Sequence, residues 1–334
     1  MAETKRPTSA AAEEILGLYF PVLDHGFVSL NDYMGTDECI ERAARVSYGY
    51  GTRKASLTRG LLRYLRRHLH TTPSEMVEAK FHCCMPIFVA RQWIRHRAAN
   101  VNELSGRYSL MPMLFHTPDA AQLQTQSRAN NQGRSGELVP PAQHAEALRR
   151  WNEIRAASSS AYEWMTGEGI ARELARIDLP LSTYTQWYWK IDLHNLLHFL
   201  KLRVDAHAQW EIQEYGRVMA GMLKRLAPLS YEAWVDYDVC GARLSRMELD
   251  ALRRLVEVAP GVLAARDGAK LDDAALAELG LAKREAAELV QKLQPMPVPD
   301  HELDLSKATP PEHFAERFAA AVPTVDKLDK PPSE

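Results

Sequence analysis

Residues 181–226 constrain the fold more than any other stretch. The run LSTYTQWYWKID at 181–192 is dense in Thr, Tyr and Trp, the composition of a strand. It passes directly into LHNLLHFLKLRVDAHAQWEIQEYGRVMAGMLKRL, where Leu196, Phe199, Leu200 and Leu202 recur at helical spacing. That spacing predicts two consecutive helices with a break near Asp205. Strand and helix therefore belong to one fold.

Upstream, TDECIERAARVSYG from Thr36 offers a threonine cap and an acidic first turn, and predicts a helix that stops near Gly49. A second helix is expected from about Ser56 to Leu69. In HTTPSEMVEAK, threonine before proline with carboxylates following is a helix start, whose polar N-terminus suits a phosphate or a polar ring edge. The run AKFHCCM reads as a strand, and PIFVARQWIRHR as a helix opened by Pro86.

From Leu110 to about Gln143 the chain is rich in Pro, Gln, Asn, Ser and Gly, and a lid is expected there rather than plain disorder. A long helix from about Ala145 to Met165 and a short one ending before Pro180 follow. Ser245 and Glu248 form a capping-box pattern, and 270–293 predicts a helical hairpin turning near Gly280. The hairpin is acidic at its start and short of base-reading side chains, so packing or subunit contact is expected of it. Residues 1 to about 20 read as a mobile extension, and those from Pro295 onward as a proline- and charge-rich tail along the surface.

The chain of 334 residues is 46% hydrophobic, enough for a substantial core. Its 41 basic and 43 acidic side chains nearly cancel, so the global field marks neither a nucleic-acid nor an anionic-membrane binder. Four cysteines without repeated pair spacing argue against a disulfide framework, and a zinc site at Cys83 and Cys84 is not expected, since neighbours on a strand face opposite ways. No stretch of about 18 apolar residues occurs. A cytoplasmic protein is expected.

Against that neutral background, RHRAANVNELSGRYS at 95–109 concentrates three arginines, a histidine, a carboxylate and three hydroxyls. Arginine suits planar, bidentate recognition of phosphate, which points to an anionic ligand. An ion-pair network with Glu103 and nearby acids would use the same residues, and arginine count alone leaves both readings open. Ser105 lacks a neighbouring base, since an adjacent arginine stays protonated, so it is assigned to binding rather than nucleophilic attack. HNLLH at 194–198 imitates a zinc helix, but Asn195 stands where the glutamate base is required. No metal is expected.

Arg95-His96-Arg97, followed by Asn102, Glu103, Ser105, Gly106, Arg107 and Tyr108, resembles the signature of the flavin-dependent thymidylate synthases. AARVSYG, HTTPSEM, PIFVARQWIRHR, QGRSGE, ELARIDLPLSTYTQWYWKIDLHNLLHFLKLR and DAHAQWEI look like further blocks of that family, in order, so that the resemblance spans about Phe20 to Leu244. It implies that Ser47, His70, Thr72, Glu75, Arg95, His96, Arg97 and Glu103 contact the flavin nucleotide. Asp192, His194 and His198 fall in the flavin-contacting helix, where some relatives carry Asn, Arg and Asn. Gln92, Arg95, Glu103, Leu104, Ser105, Gly106 and Arg107 would hold the nucleotide substrate, Arg176 a further phosphate contact from a neighbouring subunit, and Arg203 the uracil ring.

The resemblance further implies an α+β fold with a central antiparallel sheet flanked by helices, assembled as a homotetramer; the helical C-terminal extension expected after residue 245 lies beyond it. Its organisation would be an extension at 1–20, a synthase domain at 21–245, a helical extension at 246–294 in a subunit-contact or shielding role, and a tail at 295–334. The implied reaction methylates deoxyuridine monophosphate to thymidine monophosphate, with methylenetetrahydrofolate as carbon donor and NADPH, through FAD, as reductant. No Pro-Cys pair exists in the chain, so the cysteine route of the flavin-free synthases is absent. A silent nucleotide-binding regulator and a nucleic-acid module are the rival readings.

Overall fold

The computed structural model describes residues 6–47, 58–128, 132–259, 262–270 and 272–324. The expected helix stop at Gly49 and start at Ser56 lie outside them. The chain divides into two compact units, residues 1–233 together with 301–334, and residues 234–300.

Among the described residues the larger unit is built on seven strands: β1 (Tyr19–Val22), β2 (Gly26–Met34), β3 (Glu78–Pro86), β4 (Asn100–Glu103), β5 (Gln124–Gln126), β6 (Arg134–Leu138) and β7 (Tyr184–Asp192). Five form one antiparallel sheet in the order β1-β2-β3-β7-β4, and β5-β6 is a separate hairpin. The longest ladder joins β3 to β7, from Glu78 opposite Asp192 to Pro86 opposite Tyr184. Around the sheet lie α1 (Ala10–Glu13), α2 (Asp37–Val46), α3 (Thr58–Arg67), α4 (Ile87–Trp93), α5 (Pro141–Gly167), α6 (Arg172–Ala175), α7 (Leu193–Arg203), α8 (Trp210–Leu226) and α9 (Pro228–Trp234). This is the expected α+β class, with the break between α7 and α8 where the spacing placed it.

The aromatic run of β7 explains how the sheet is covered. Trp187 and Trp189, two apart and so on one face, meet Trp93 of α4 edge-on at 5.5 and 5.3 Å between ring centroids. Trp93 in turn stacks on Phe199 of α7 at 5.0 Å. On the opposite face Tyr188 stacks on His82 of β3 at 4.5 Å. On α8, Ile212, Tyr215, Met219 and Met222 are buried, and the Tyr215 hydroxyl donates to the Cys84 carbonyl at 2.8 Å. Gly26 is required there, since a Cβ would stand 2.1 Å from that hydroxyl.

Several local expectations yield to tertiary pairing. The HTTPSEM segment makes only a 3₁₀ turn, Thr72–Met76, because Val77 enters the extended conformation that leads into β3. Residues 100–103, which carry no strand signal of their own, form edge strand β4 on β7. Thr36 makes no side-chain cap for α2; instead the Asp37 carboxylate accepts from the N–H groups of Leu229 and Ser230 at 2.8 and 3.1 Å, capping α9 across space.

Both expected extensions are docked on the larger unit. Ala12 and Ile15 are fully buried, and Ser9 caps α1. Residues 301–324 return to the sheet rather than trail over the surface: Thr309 bridges Tyr19, and the C-terminal helix Pro311–Ala321 sets Phe314 in a cluster with Phe27, Cys84 and Tyr184. The smaller unit starts at Trp234, upstream of the expected boundary at 245. It contains α10 (Arg246–Leu255), opened by the Ser245–Glu248 capping box, then the hairpin β8 (Val256–Ala259) and β9 (Val262–Ala265). Helices α11 (Asp273–Glu278) and α12 (Lys283–Lys292) turn at Gly280, which has φ of +86°. Their core is Ala251, Leu276, Leu281, Ala286 and Leu289.

Candidate active site

The residues singled out from sequence fall into three groups. The first is the turn that follows β4. Glu103 accepts from the Thr185 hydroxyl at 2.8 Å, and the Leu104 N–H donates to the Gln186 carbonyl at 2.8 Å, so β7 holds the strand end from which the turn departs. The Ser105 carbonyl accepts from Tyr108 and Ser109, and its hydroxyl accepts from the Arg107 N–H at 3.3 Å. Gly106 is buried against Arg176 of the same chain: a Cβ there would lie 3.1 Å from Arg176 Cδ and 2.9 Å from Met111 Sδ. Arg107 pairs with Glu173 at 3.1 Å, both side chains exposed.

The second group is assembled by α4 and α7. Arg203, at the C-terminal end of α7, donates through Nη2 to the Gln92 carbonyl at 3.3 Å, its Nε is buried without a partner, and burial lowers its pKa. No carboxylate pairs with it among the described residues. The Gln92 side-chain Oε1 is likewise buried and unpaired. His96 lies 5.7 Å from His198 and 5.6 Å from Phe199 between ring centroids. Burial, then His198 and Arg203, push its pKa down, with Asp192 opposing, so the imidazole is held toward its neutral form. The buried His96 Nε2 and His194 Nδ1 have no hydrogen-bond partner among the described residues, so both are free to bond a ligand.

Asp192 has a structural duty as well, since it caps α7, accepting from the Asn195 N–H at 2.9 Å and from its side-chain amide at 2.7 Å. Arg95 and Arg97 are exposed and have no carboxylate partner among the described residues. The ion-pair reading of the arginines is thus realised only at Arg107.

The third group lines a cleft of about 710 Å³ at the end of α2, where Ser47, His70 and Thr72 meet Tyr64, Leu61 and Met76. Tyr64 stands edge-on to His70 at 5.7 Å. Glu75 is on the same 3₁₀ turn, outside the lining of the cleft.

One buried assembly escaped the sequence reading. Glu211, 2% exposed on the first turn of α8, pairs with Arg134 of β6, and His116 Nε2 stands 3.9 Å away. His116 Nδ1 bonds Asp24 at 2.8 Å, and Asp24 also accepts from the Tyr184 hydroxyl. The available signal was an acid at 211 in register with the apolar face of α8. These bonds pin the β5-β6 hairpin, within the segment expected as a lid, against α8.

Residues 29–229 match the family model described as thymidylate synthase complementing protein. The chain is 49% identical over 259 residues to a flavin-dependent thymidylate synthase of Ruegeria pomeroyi, covering 76% of this chain and 85% of that one. It is 51% identical over 254 residues to the Wolbachia pipientis enzyme of the same name, covering 76% and 89%. Among solved structures, the UMP/dUMP methylase PolB of Streptomyces cacaoi bound with 5-Br UMP superposes with a TM-score of 0.58 at 31% identity, covering 66% of this chain and 98% of that one. With the signature turn, the α7 arginine and these relationships in agreement, the chain belongs to the family of flavin-dependent thymidylate synthases.

Proposed function

We propose that the chain methylates deoxyuridine monophosphate to thymidine monophosphate, with methylenetetrahydrofolate as carbon donor and NADPH, through FAD, as reductant. The observation that carries this reading is Arg203: a half-buried guanidinium with an unpaired Nε, no counter-ion among the described residues, and an unpaired buried amide oxygen of Gln92 beside it. Activating carbon 5 of uracil builds negative charge on the ring oxygens and N3. A fixed cation sheltered from water stabilises that charge without reorganisation.

The residues present suit a flavin nucleotide. The cleft lined by Ser47, His70 and Thr72 offers hydroxyl and imidazole groups, and the buried His96 Nε2 and His194 Nδ1 have no partner among the described residues. Those residues, with Glu75, Glu103, Arg95, Arg97, Asp192 and His198, would hold FAD. When bound, the flavin supplies the reducing equivalents for the methyl group. Arg107, with the Ser105 and Gly106 amides, directs positive charge and N–H donors at the substrate phosphate, Arg176 of a neighbouring subunit adds a further contact, and Leu104 fixes the turn by packing on Met111 and Tyr162.

The assembly is a homotetramer with sites shared between subunits, in the cytoplasm. The sharing of sites is supported by exposed apolar side chains beside Arg107 and Arg176: Tyr108, Ile177 and Leu181 are 76%, 67% and 63% exposed, as at a subunit contact.

The test is a visible absorbance spectrum of the purified protein, followed anaerobically by NADPH with and without deoxyuridine monophosphate. A flavin band that bleaches faster with the nucleotide, and thymidine monophosphate formed only with methylenetetrahydrofolate, are expected. A colourless protein that FAD does not reconstitute would overturn the reading.

A further inference from the structure

Residues 301–324 lie beyond the stretch 29–229 that matches the family model, yet they reach the neighbourhood of the signature turn. Thr309 pairs with Tyr19 of β1, and the C-terminal helix Pro311–Ala321 then ends where the Ala321 carbonyl accepts from the Met113 N–H at 2.8 Å. Met113 belongs to the segment 110–116 that leads out of the turn. Part of no helix or named strand, this segment satisfies its backbone one group at a time. The Met111 N–H donates to the Tyr162 hydroxyl at 2.9 Å, the Leu114 carbonyl accepts from Tyr184 at 3.0 Å, and the His116 N–H donates to the Ser182 carbonyl at 2.9 Å. The partner of Met113 is the end of the C-terminal helix.

Side chains follow the same course. Leu114 and Phe318 both pack on the cluster of Phe27, Cys84, Tyr184 and Phe314, while Met113 and Leu104 pack on that of Met111, Tyr162 and Ala175. Arg317 donates to the Asp24 carbonyl at 3.4 Å, and the Asp24 carboxylate holds His116 and the Thr117 N–H. Met111, 6% exposed, lies against the turn itself, since the Cβ that Gly106 lacks would stand 2.9 Å from its Sδ. Contacts thus run from the C-terminal helix through 113–114 and Met111 to Gly106. The turn's own closing bonds are local, from Tyr108 and Ser109 to the Ser105 carbonyl, so its position is set by what it packs on. Donors fixed in place beforehand bind better, because their ordering cost is met before the ligand arrives.

We infer that the C-terminal helix is a positioning element for the signature turn, acting through Met113 and Met111, with Phe318 as the side chain that seats it. Phe314 anchors the helix in the core; Phe318, half-buried and one turn nearer Ala321, sets how its end meets 113–114. The inference rests on the proposed function, which gives the turn to the phosphate of deoxyuridine monophosphate.

Flavin-loaded full-length protein and its Phe318→Ala and Phe318→Leu variants are compared by amide exchange without nucleotide, and by calorimetry with deoxyuridine monophosphate and with deoxyuridine. In Phe318→Ala, exchange across 104–113 should quicken while the buried face of α8 exchanges as in wild type. Its Kd for the monophosphate should rise about threefold to tenfold, and that for deoxyuridine should stay the same. Phe318→Leu, which keeps an apolar side chain at a half-buried place, should recover most of the affinity, and it carries the comparison if Phe318→Ala fails to fold. Equal losses for the two ligands, unchanged affinity for both, or exchange that quickens equally in α8 would overturn the inference, leaving the helix a support for the fold at large. Were wild type to bind neither nucleotide, the functional reading would fall, and exchange across 104–113 would alone decide whether the helix positions the turn.

Discussion

The Arg203 guanidinium donates to the backbone carbonyl of Gln92 at 3.3 Å, and this is the one hydrogen bond it makes among the described residues. A cation so placed adds little to folding, since burial disfavours its charged form and only that one long hydrogen bond and the Phe199 ring, 5.7 Å from the guanidinium, offset it among the described residues. Arg203→Ala should therefore lower kcat at least about a hundredfold, in the range of removed oxyanion donors. The thermal midpoint should stay the same or rise. Steady-state kinetics paired with a circular-dichroism melt would check both halves.

Gly106 sets the distance between the signature turn and Arg176. In Gly106→Ala the new Cβ would press on Arg176 Cδ at 3.1 Å and on Met111 Sδ at 2.9 Å, so the flexible arginine must yield. Affinity for deoxyuridine monophosphate should fall on the order of tenfold, since the displaced turn carries the Ser105 and Gly106 amides proposed to hold the phosphate. Affinity for deoxyuridine, which lacks the phosphate, should be unaffected. Calorimetry with both ligands would separate a lost phosphate contact from general damage.

How far the chain could be read without its structure depended on whether a signal was local. Strand β7 and helices α7 and α8 were legible because aromatic density and helical spacing speak for themselves. Strand β4 was not: Asn100, Val101, Asn102 and Glu103 are all exposed, and only backbone bonding to β7 makes them a strand. At the site, the contiguous run from Arg95 to Tyr108 stands out in the sequence by its polarity, and Gln92 and Arg203 stand out only by resemblance. Their mutual bond was not legible, because it joins residues far apart in sequence across the packed faces of α4 and α7. The Glu211–Arg134 latch was hidden for the same reason.

The Asp24 carboxyl gives the fold a defined acid sensitivity. Burial raises its pKa, but hydrogen bonds from His116, Tyr184 and the Thr117 N–H outweigh burial and bring it from 3.8 down to about 2. A carboxylate with a depressed folded pKa stabilises above its unfolded value, and that contribution is lost as pH falls from 3.8 toward about 2. Asp24→Asn should cost about 1–2 kcal/mol near pH 7, discounted for partial exposure, with the gap to wild type closing at low pH. Urea titrations across that pH range would reveal a constant gap if the carboxylate charge were irrelevant.

Phe314 tests whether the C-terminal segment is part of the fold or an appendage. Its ring lies 4.8 Å from Phe27 and 5.6 Å from Tyr19, and the side chain is 2% exposed. Thr309 extends the attachment by pairing with Tyr19 of β1, and Leu303 packs against Gly221 of α8. Phe314→Ala removes a ring from a cluster shared with Cys84 and Tyr184, and should cost roughly 3–5 kcal/mol. A chain ended near Leu249 should be destabilised through the same residues, whatever the smaller unit contributes. If instead thermal melts of Phe314→Ala match wild type, the segment is an ornament on β1 and β2, and the truncated chain should melt with them.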